Sequence, residues 1–423
     1  MRYLWLLLIL SLLVSGCTPA GSVGAQEARS GEPRETSPDV PSDDLQALVD
    51  GNTAFAVDLY RRLREADAGN LFFSPHSISV ALAMTYAGVR GETAEQMAET
   101  LHFTLPQARL HAAFNALDLA LQPAKDADEE AFTLNIANAL WAEEIYTFRD
   151  EFLDLLARHY GAGLRLVSFK TAAEAARQTI NAWVEKKTEG KIKDLIPKGG
   201  VDDLTRLVLA NAIYFNAKWA YTFPEDRTQD GIFTTADGRE VSVPMMSWDQ
   251  PEMIPYTRGE NYQALELPYR GGEASMVILV PDAGAFADVE AGLTGQRLQE
   301  IVAEMETKGV VLTMPKFEYQ AEASLADTLK AMGMTDALDP DRADFSGMDG
   351  TRDLYITNVF HKAYVAVDEE GTEAAAATAV IVGLESMPMT DVEITIDRPF
   401  IYLIRDRETG AVLFLGRVVD PRG

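Results

Sequence analysis

Helical periodicity fills the first half of this chain and strand-like runs fill the second, with no regular alternation between them. From Asp43 the apolar residues Leu45, Leu48, Val49, Phe55, Ala56, Leu59 and Leu63 form one stripe at helical spacing. Asn70 to Phe73 is a short apolar run. Ser74 and Ser77 then flank the start of a helix through Met84 and Tyr86, closed by Gly88 and Gly91. Further helical patterns cover Thr93–Leu101, Pro106–Leu121, Arg149–Tyr160 and Ala172–Thr188. Strands are predicted at Thr133–Ala142, Leu207–Phe215, Val241–Met245, Ala264–Leu267 and Met276–Val280. More follow at Gly309–Pro315, Tyr364–Val367, Val392–Ile396, Phe400–Arg405 and Val412–Arg417. Strands that succeed one another without helices between them lack the usual crossovers of a parallel sheet. The pattern predicts an α+β fold with antiparallel sheets.

Residues 42–421 read as one domain, and a different kind of sequence precedes it. Arg2 followed by the apolar run Leu4–Val14 has the charged and apolar regions of a signal peptide. As a helix that run rises only ~16 Å, about half a hydrocarbon core, so it is too short to span a membrane. Leu13-Val14-Ser15-Gly16-Cys17 looks like a bacterial lipoprotein signal, in which residues 1–16 are removed and Cys17 is lipidated. Cleavage after Ala25, behind the small residues Val23-Gly24-Ala25, is the alternative and would give a soluble secreted protein. Residues 17–41 are rich in Gly, Ser, Pro, Ala and charge, and are expected to form a disordered tether. Thr18, standing where a retention signal has Asp, points to an outer membrane if the cell has one.

Sixty-five acidic residues against thirty-seven basic ones give a formal charge of −28. Nucleic-acid binding by counterion release needs clustered Lys and Arg, and basic residues here make no run longer than pairs such as Arg61-Arg62 and Lys186-Lys187. The same charge repels acidic lipid surfaces, so membrane contact is expected only through the N-terminal lipid. Cys17 is the sole cysteine, which leaves the domain without a disulfide or a thiol nucleophile. His76, His102, His111, His159 and His361 fall in no paired metal-ligand spacing. No nucleophile elbow, phosphate loop or dinucleotide fingerprint occurs, and the five aspartates of Asp339–Asp353 miss the calcium-loop spacing. The expectation is no enzyme, no cofactor and no metal.

The segment from Glu369 to Pro388 has two descriptions. Ala374–Ala377 favour a short surface helix. Read with period two, Thr372, Ala374, Ala376, Thr378, Val380, Val382 and Leu384 share one uncharged face. Glu373, Ala375, Ala377, Ala379, Ile381, Gly383 and Glu385 share the other. That is the pattern of a strand buried on one side, and no proline interrupts it. A segment able to live as exposed loop and as strand is what a conformational trap needs.

From about Asp43 to Pro421 the chain resembles the serpin family. The hinge Glu369-Glu370-Gly371-Thr372-Glu373-Ala374-Ala375-Ala376-Ala377-Thr378 is similar, almost letter for letter, to that of inhibitory members. Ile396-Asp397-Arg398-Pro399-Phe400-Ile401-Tyr402 matches the family signature. Asn70-Leu71-Phe72-Phe73-Ser74-Pro75-His76-Ser77, Asn211-Ala212-Ile213-Tyr214-Phe215 with Lys218-Trp219, and Val243-Pro244-Met245-Met246 also fit. The resemblance implies three mainly antiparallel sheets, about eight or nine helices and an exposed reactive-centre loop at residues 369–388.

It further implies a suicide-substrate inhibitor. A serine protease, or alternatively a cysteine protease, attacks the loop, and the acyl-enzyme is trapped as the severed loop inserts into the central sheet. Serpin loop insertion is itself a standard example of such switching. A non-inhibitory binding protein of the same fold is the alternative function. By the same resemblance Ser74, Ser77, Asn211 and His361 form a polar "shutter" under the central strands. Trp219, Lys316 and Glu369 form a "breach" where the loop enters, with Lys316 and Glu369 an ion pair. Counting fourteen residues from Thr372 puts the reactive bond at Glu385–Ser386, with cleavage at Leu384 as the alternative. Glu385 suits a glutamate-specific protease, and its neighbours suit subtilisin-, chymotrypsin- or elastase-like ones. The protein is expected to be a monomer.

Overall fold

The computed structural model describes residues 25–122, 132–372 and 389–423; the leader, Cys17 and Glu373–Pro388 lie outside them. The described chain opens with β1 (Gln26–Ala28), α1 (Ser42–Ala66), β2 (Leu71–Phe73), α2 (Pro75–Tyr86), α3 (Gly91–Thr100) and α4 (Gln107–Ala120). Next come β3 (Phe132–Glu143), α5 (Asp150–Tyr160), β4 (Leu164–Val167), α6 (Phe169–Lys187) and β5 (Leu207–Lys218). Five strands follow: β6 (Gln229–Thr234), β7 (Glu240–Ser247), β8 (Glu252–Arg258), β9 (Tyr262–Pro268) and β10 (Ala274–Pro281). Helices α7 (Phe286–Ala291) and α8 (Gly295–Ala303) lead to β11 (Glu306–Pro315) and β12 (Phe317–Ser324). Short helices α9 (Ala326–Met332) and α10 (Ser346–Asp349) precede β13 (Ile356–Val367) and β14 (Gly371–Thr372). The last strands are β15 (Val392–Thr395), β16 (Phe400–Asp406) and β17 (Val412–Val418).

The predicted α+β class holds. One sheet runs β1-β4-β3-β5-β14-β13-β12, and a second ladder runs β2-β17-β16-β10-β9-β8-β11-β7-β6 with β15 on β11. β11 pairs with β8 through Glu306–Val310 and with β7 through Thr313–Pro315, so one strand joins the two halves of that ladder. Ten α-helical segments lie among the described residues; α7, α9 and α10 have seven residues or fewer, too few for a periodic signal.

β5 sits where two cores meet. Leu207, Leu209, Ile213 and Phe215 face the main core, shared with α2 and the second ladder. Val208, Ala210 and Ala212 face a smaller cluster under α6, with Ala176, Ile180 and Val184. Burial on both faces is why this stretch reads as a nearly unbroken apolar run.

The expectation of a disordered tether fails from Gln26 onward. β1 pairs antiparallel with the edge strand β4, Gln26 opposite Leu166 and Ala28 opposite Leu164. Downstream, Arg34 Nε donates to Asn115 Oδ1 at 2.9 Å, and its Nη2 meets Asp118 Oδ2 at 2.6 Å on α4. Glu35 N–H donates to Arg158 O at 2.9 Å on α5. The composition argument counted apolar side chains, whereas this segment is held by backbone ladder bonds and charged hydrogen bonds that need none. Arg34→Ala should therefore destabilise the intact protein by about 1 kcal/mol. Hydrogen exchange at Gln26–Ala28 checks it, and should accelerate as the strap frays.

Candidate functional site

β5 and β13 lie side by side and parallel, in register from Val208 opposite Asn358 to Tyr214 opposite Tyr364, with a register shift between Asn358 and the lowest pair, Leu207 and Ile356. Above that pair they diverge, and β14 fills the opening. Gly371 pairs with Lys218 and Thr372 with Ala217, antiparallel to β5, while Thr372 also pairs with Val367 of β13. The turn that returns the chain from β13 is closed by Asp368, whose Oδ1 accepts from Glu370 N–H at 2.9 Å and Gly371 N–H at 3.1 Å. Trp219 N–H donates to Glu370 O, Phe223 N–H to Glu369 O, and Trp219 Nε1 to Asp368 O at 3.0 Å. A Cβ at Gly371 would stand 2.1 Å from Ala217 O and 2.8 Å from Lys218 Cα, so this close approach requires glycine.

The breach residues come together here. Lys316 Nζ lies 2.5 Å from Glu369 Oε2, and Thr228 Oγ1 donates to Glu369 Oε1 at 2.6 Å. Burial pushes the Glu369 carboxyl up, but the bonds from Lys316 and Thr228 outweigh it and hold it below its ordinary value. Trp219 stacks on Tyr269 with centroids 4.6 Å apart, and the Tyr269 hydroxyl shares a 2.7 Å hydrogen bond with Thr372 Oγ1. Thr372 is thus aimed inward and buried. Tyr269 and Thr228 were not singled out from sequence, because their partners lie more than a hundred residues away in the chain.

The four shutter residues also meet. Ser74 caps α2 by accepting from Ser77 N–H at 3.1 Å, and its own hydroxyl donates to Leu413 O at 2.7 Å. Ser74 N–H donates to His361 Nε2 at 3.2 Å. That nitrogen is therefore unprotonated, and Nδ1 carries the hydrogen it donates to Asn211 Oδ1. Asn211 Nδ2 in turn reaches Ser77 Oγ at 2.6 Å and Asn138 Oδ1 at 2.5 Å. Asn138 is a fifth member the sequence reading missed. Its register places Asn138, Asn211 and His361 in one row across β3, β5 and β13. The available signal was an asparagine inside the predicted strand Thr133–Ala142.

Hinge residues Glu369 to Thr372 are thus placed, whereas Glu373–Thr378 and the bond at Leu384, Glu385 and Ser386 lie outside the described residues. Among the described residues no group of three His, Cys, Asp or Glu could hold a metal ion, and no helix is long and apolar enough to cross a membrane.

A family profile described as Serpin (serine protease inhibitor) matches residues 50–421. Leukocyte elastase inhibitor A of Rattus norvegicus is 40% identical over 385 residues, 89% of this chain and 100% of that one. An uncharacterised serpin-like protein of Thermococcus kodakarensis is 38% identical, over 100% of this chain and 99% of its own. The native-state crystal structure of tengpin, a thermophilic serpin, gives a TM-score of 0.81 at 28% identity, over 94% of this chain and 100% of that one.

Burial pushes the His361 imidazole down to about 3. A histidine depressed in the folded state contributes its full stability above its unfolded value of ~6.5, and loses it as pH falls below that toward the folded value. Between pH 7.5 and 5.5 this one proton costs on the order of 1 kcal/mol. Urea unfolding at the two pH values should show that much less acid sensitivity in His361→Gln. His76 and His111, also depressed by burial, remain in both proteins and cancel in the comparison.

Proposed function

Because this chain belongs to the serpin family, we propose that it acts as a suicide-substrate inhibitor of serine proteases, with cysteine proteases as alternative targets. The observation that carries this reading is the hairpin Asp368–Thr372, seated at the open end of the seam. An arm that continues this register pairs one residue further down β5 at each step. Ala375 meets Tyr214, Thr378 meets Asn211 and Val382 meets Leu207. Since Thr372 points at Tyr269, the uncharged face of the arm is the one that turns inward. Thr378 then arrives between Asn211 and His361 and offers each a hydroxyl in place of the bond they now share.

The energy scale supports a trap. Ladder bonds at about 1 kcal/mol per residue, with Val380, Val382 and Leu384 buried at roughly 1.5 kcal/mol or more each, sum to the order of 15 kcal/mol. A protease domain is itself held folded by only ~5–15 kcal/mol. Distorting a tethered protease is within reach.

Glu385–Ser386 is the proposed reactive bond, which favours a glutamate-specific protease. The relative named for leukocyte elastase supports an elastase-like target as the alternative. We further propose export and attachment to the cell envelope through lipidated Cys17. With β1 docked, eight residues, Thr18–Ala25, separate Cys17 from the folded body, a reach of at most ~28 Å, so a lipid on Cys17 would keep the body close to its membrane. Release as a soluble monomer after cleavage at Ala25 is the alternative.

Incubation with a glutamyl endopeptidase, a subtilisin and an elastase, followed by denaturing electrophoresis, tests the mechanism. A covalent complex is expected with at least one, and Glu385→Arg should transfer it to a trypsin-like enzyme. Thr372→Arg would force a charge against buried Tyr269 and should turn the inhibitor into a substrate, cleaved without complex. Clean cleavage of the unaltered protein, with no complex and no rise in melting temperature, would sink the proposal.

A further inference from the structure

The segment after α6 crosses the outer face of the seam that the proposed insertion must open. Its turn is tight: Gly190 N–H donates to Glu185 O and Lys191 N–H to Thr188 O. Glu189 and Asp194 have φ of 53° and 50°, and they are two of the three non-glycine residues with positive φ among the described residues. Such conformations persist where the surroundings over-determine them.

Those surroundings are four strands of the sheet. Asn135 of β3 donates to Glu189 Oε1 at 3.4 Å, and Gln320 of β12 to Lys191 O at 3.4 Å. Lys362 of β13 donates to Lys193 O at 3.0 Å. Ile192 is buried with Val208, Ala210 and Ala212 of β5. The Lys191 ammonium lies 5.6 Å from the ring centre of Tyr214 and 6.0 Å from that of Tyr364. These two tyrosines are the uppermost register pair of the closed seam. Their rings are tied at the hydroxyls, Tyr364 donating to Glu318 Oε1 at 2.8 Å and Tyr214 accepting from Asn216 Nδ2 at 3.0 Å.

We propose that Lys191 is a positioning residue for loop insertion, holding Tyr214 and Tyr364 together so that the segment after α6 latches the first pair the arm must part. The inference rests on the insertion mechanism above. A strand entering between β5 and β13 doubles their separation from ~4.8 to ~9.6 Å. An ammonium kept midway at its present height would then be about 7 Å from each ring, beyond cation–π reach. Lys191 therefore favours the closed sheet over the opened one, and its charge slows entry.

The test compares the unaltered full chain with Lys191→Met, Lys191→Arg and Tyr364→Leu, using a synthetic peptide copying residues 372–384 and following its annealing on native gels. Lys191→Met and Tyr364→Leu should take up the peptide on the order of five-fold faster, while Lys191→Arg, which keeps a cation over the rings, stays within about two-fold of the original. Loop-cleaved forms of the original and of Lys191→Met should melt together, because the latch is already open there. Unchanged annealing in Lys191→Met and Tyr364→Leu, or equal destabilisation of intact and cleaved forms, overturns the latch. If the unaltered protein takes up no peptide and gains no stability on loop cleavage, the insertion mechanism itself fails, and the role of Lys191 with it.

Discussion

β5 and β13 run parallel and in contact, and the turn after β13 presents the next strand antiparallel to both. The rest of the structure depends on that constraint. Parallel ladders are slanted and slightly weaker per residue than antiparallel ones, so one strand entering this seam exchanges a parallel pairing for two antiparallel pairings. In the proposed mechanism that strand comes from the same chain, and the two residues that would lead it in, Gly371 and Thr372, are already laddered. Asp368 fixes how the chain turns to reach the opening, and Gly371 lets it pass where no side chain fits.

One row of the seam below, at Asn211 and His361, is polar, and this matters for how it opens. Apolar side chains interlocked across it would have to leave a void or repack when the strands part. Ser74, Ser77, Asn138, Asn211 and His361 instead hold one another through directional bonds, and each bond accepts a substitute with the right atom in the right place. Unpaired polar groups at this depth are costly, so the closed network is strongly preferred, and the proposed insertion requires an incoming hydroxyl to replace the lost partner. Neutral His361 belongs to this arrangement, since a proton on Nε2 would face the Ser74 N–H that it now accepts.

The elements legible in the sequence are those whose burial writes a period into the chain. α1, α2, α5 and the two-sided β5 follow their predicted spans within a few residues, because each presents a continuous apolar stripe or run. β12 was missed although Phe317, Tyr319 and Ala321 alternate with Glu318, Gln320 and Glu322, a period-two signal diluted by a mostly exposed edge position. β1 carries no such signal, since an edge ladder requires only backbone. At the site, motif similarity located Ser74, Ser77, Asn211, His361, Trp219, Lys316 and Glu369. Asn138 and Tyr269 depend on contacts that only the folded register creates, across 73 and 103 residues of chain.

Three layers of the seam are evenly spaced, and their faces alternate. Ala217 opposite Thr372, Tyr214 opposite Tyr364 and Asn211 opposite His361 are three residues apart, or ~10 Å. The first and third point into the core and the second outward, as strand geometry demands for odd separations. An arm advancing in register meets them singly, first under the outer latch at Tyr214 and only then at the inner polar row. Opening by such a route is a zipper with ordered barriers, and the two barriers rest on different chemistry. The outer one is a cation shared between two rings on a strained turn, whose loss needs no replacement. The inner one is a saturated hydrogen-bond network, which yields only to a residue that can rebuild it. Under the proposed insertion mechanism, residues at the Tyr214 layer govern how soon insertion begins, whereas residues at the Asn211 layer govern whether an arm that has begun goes through.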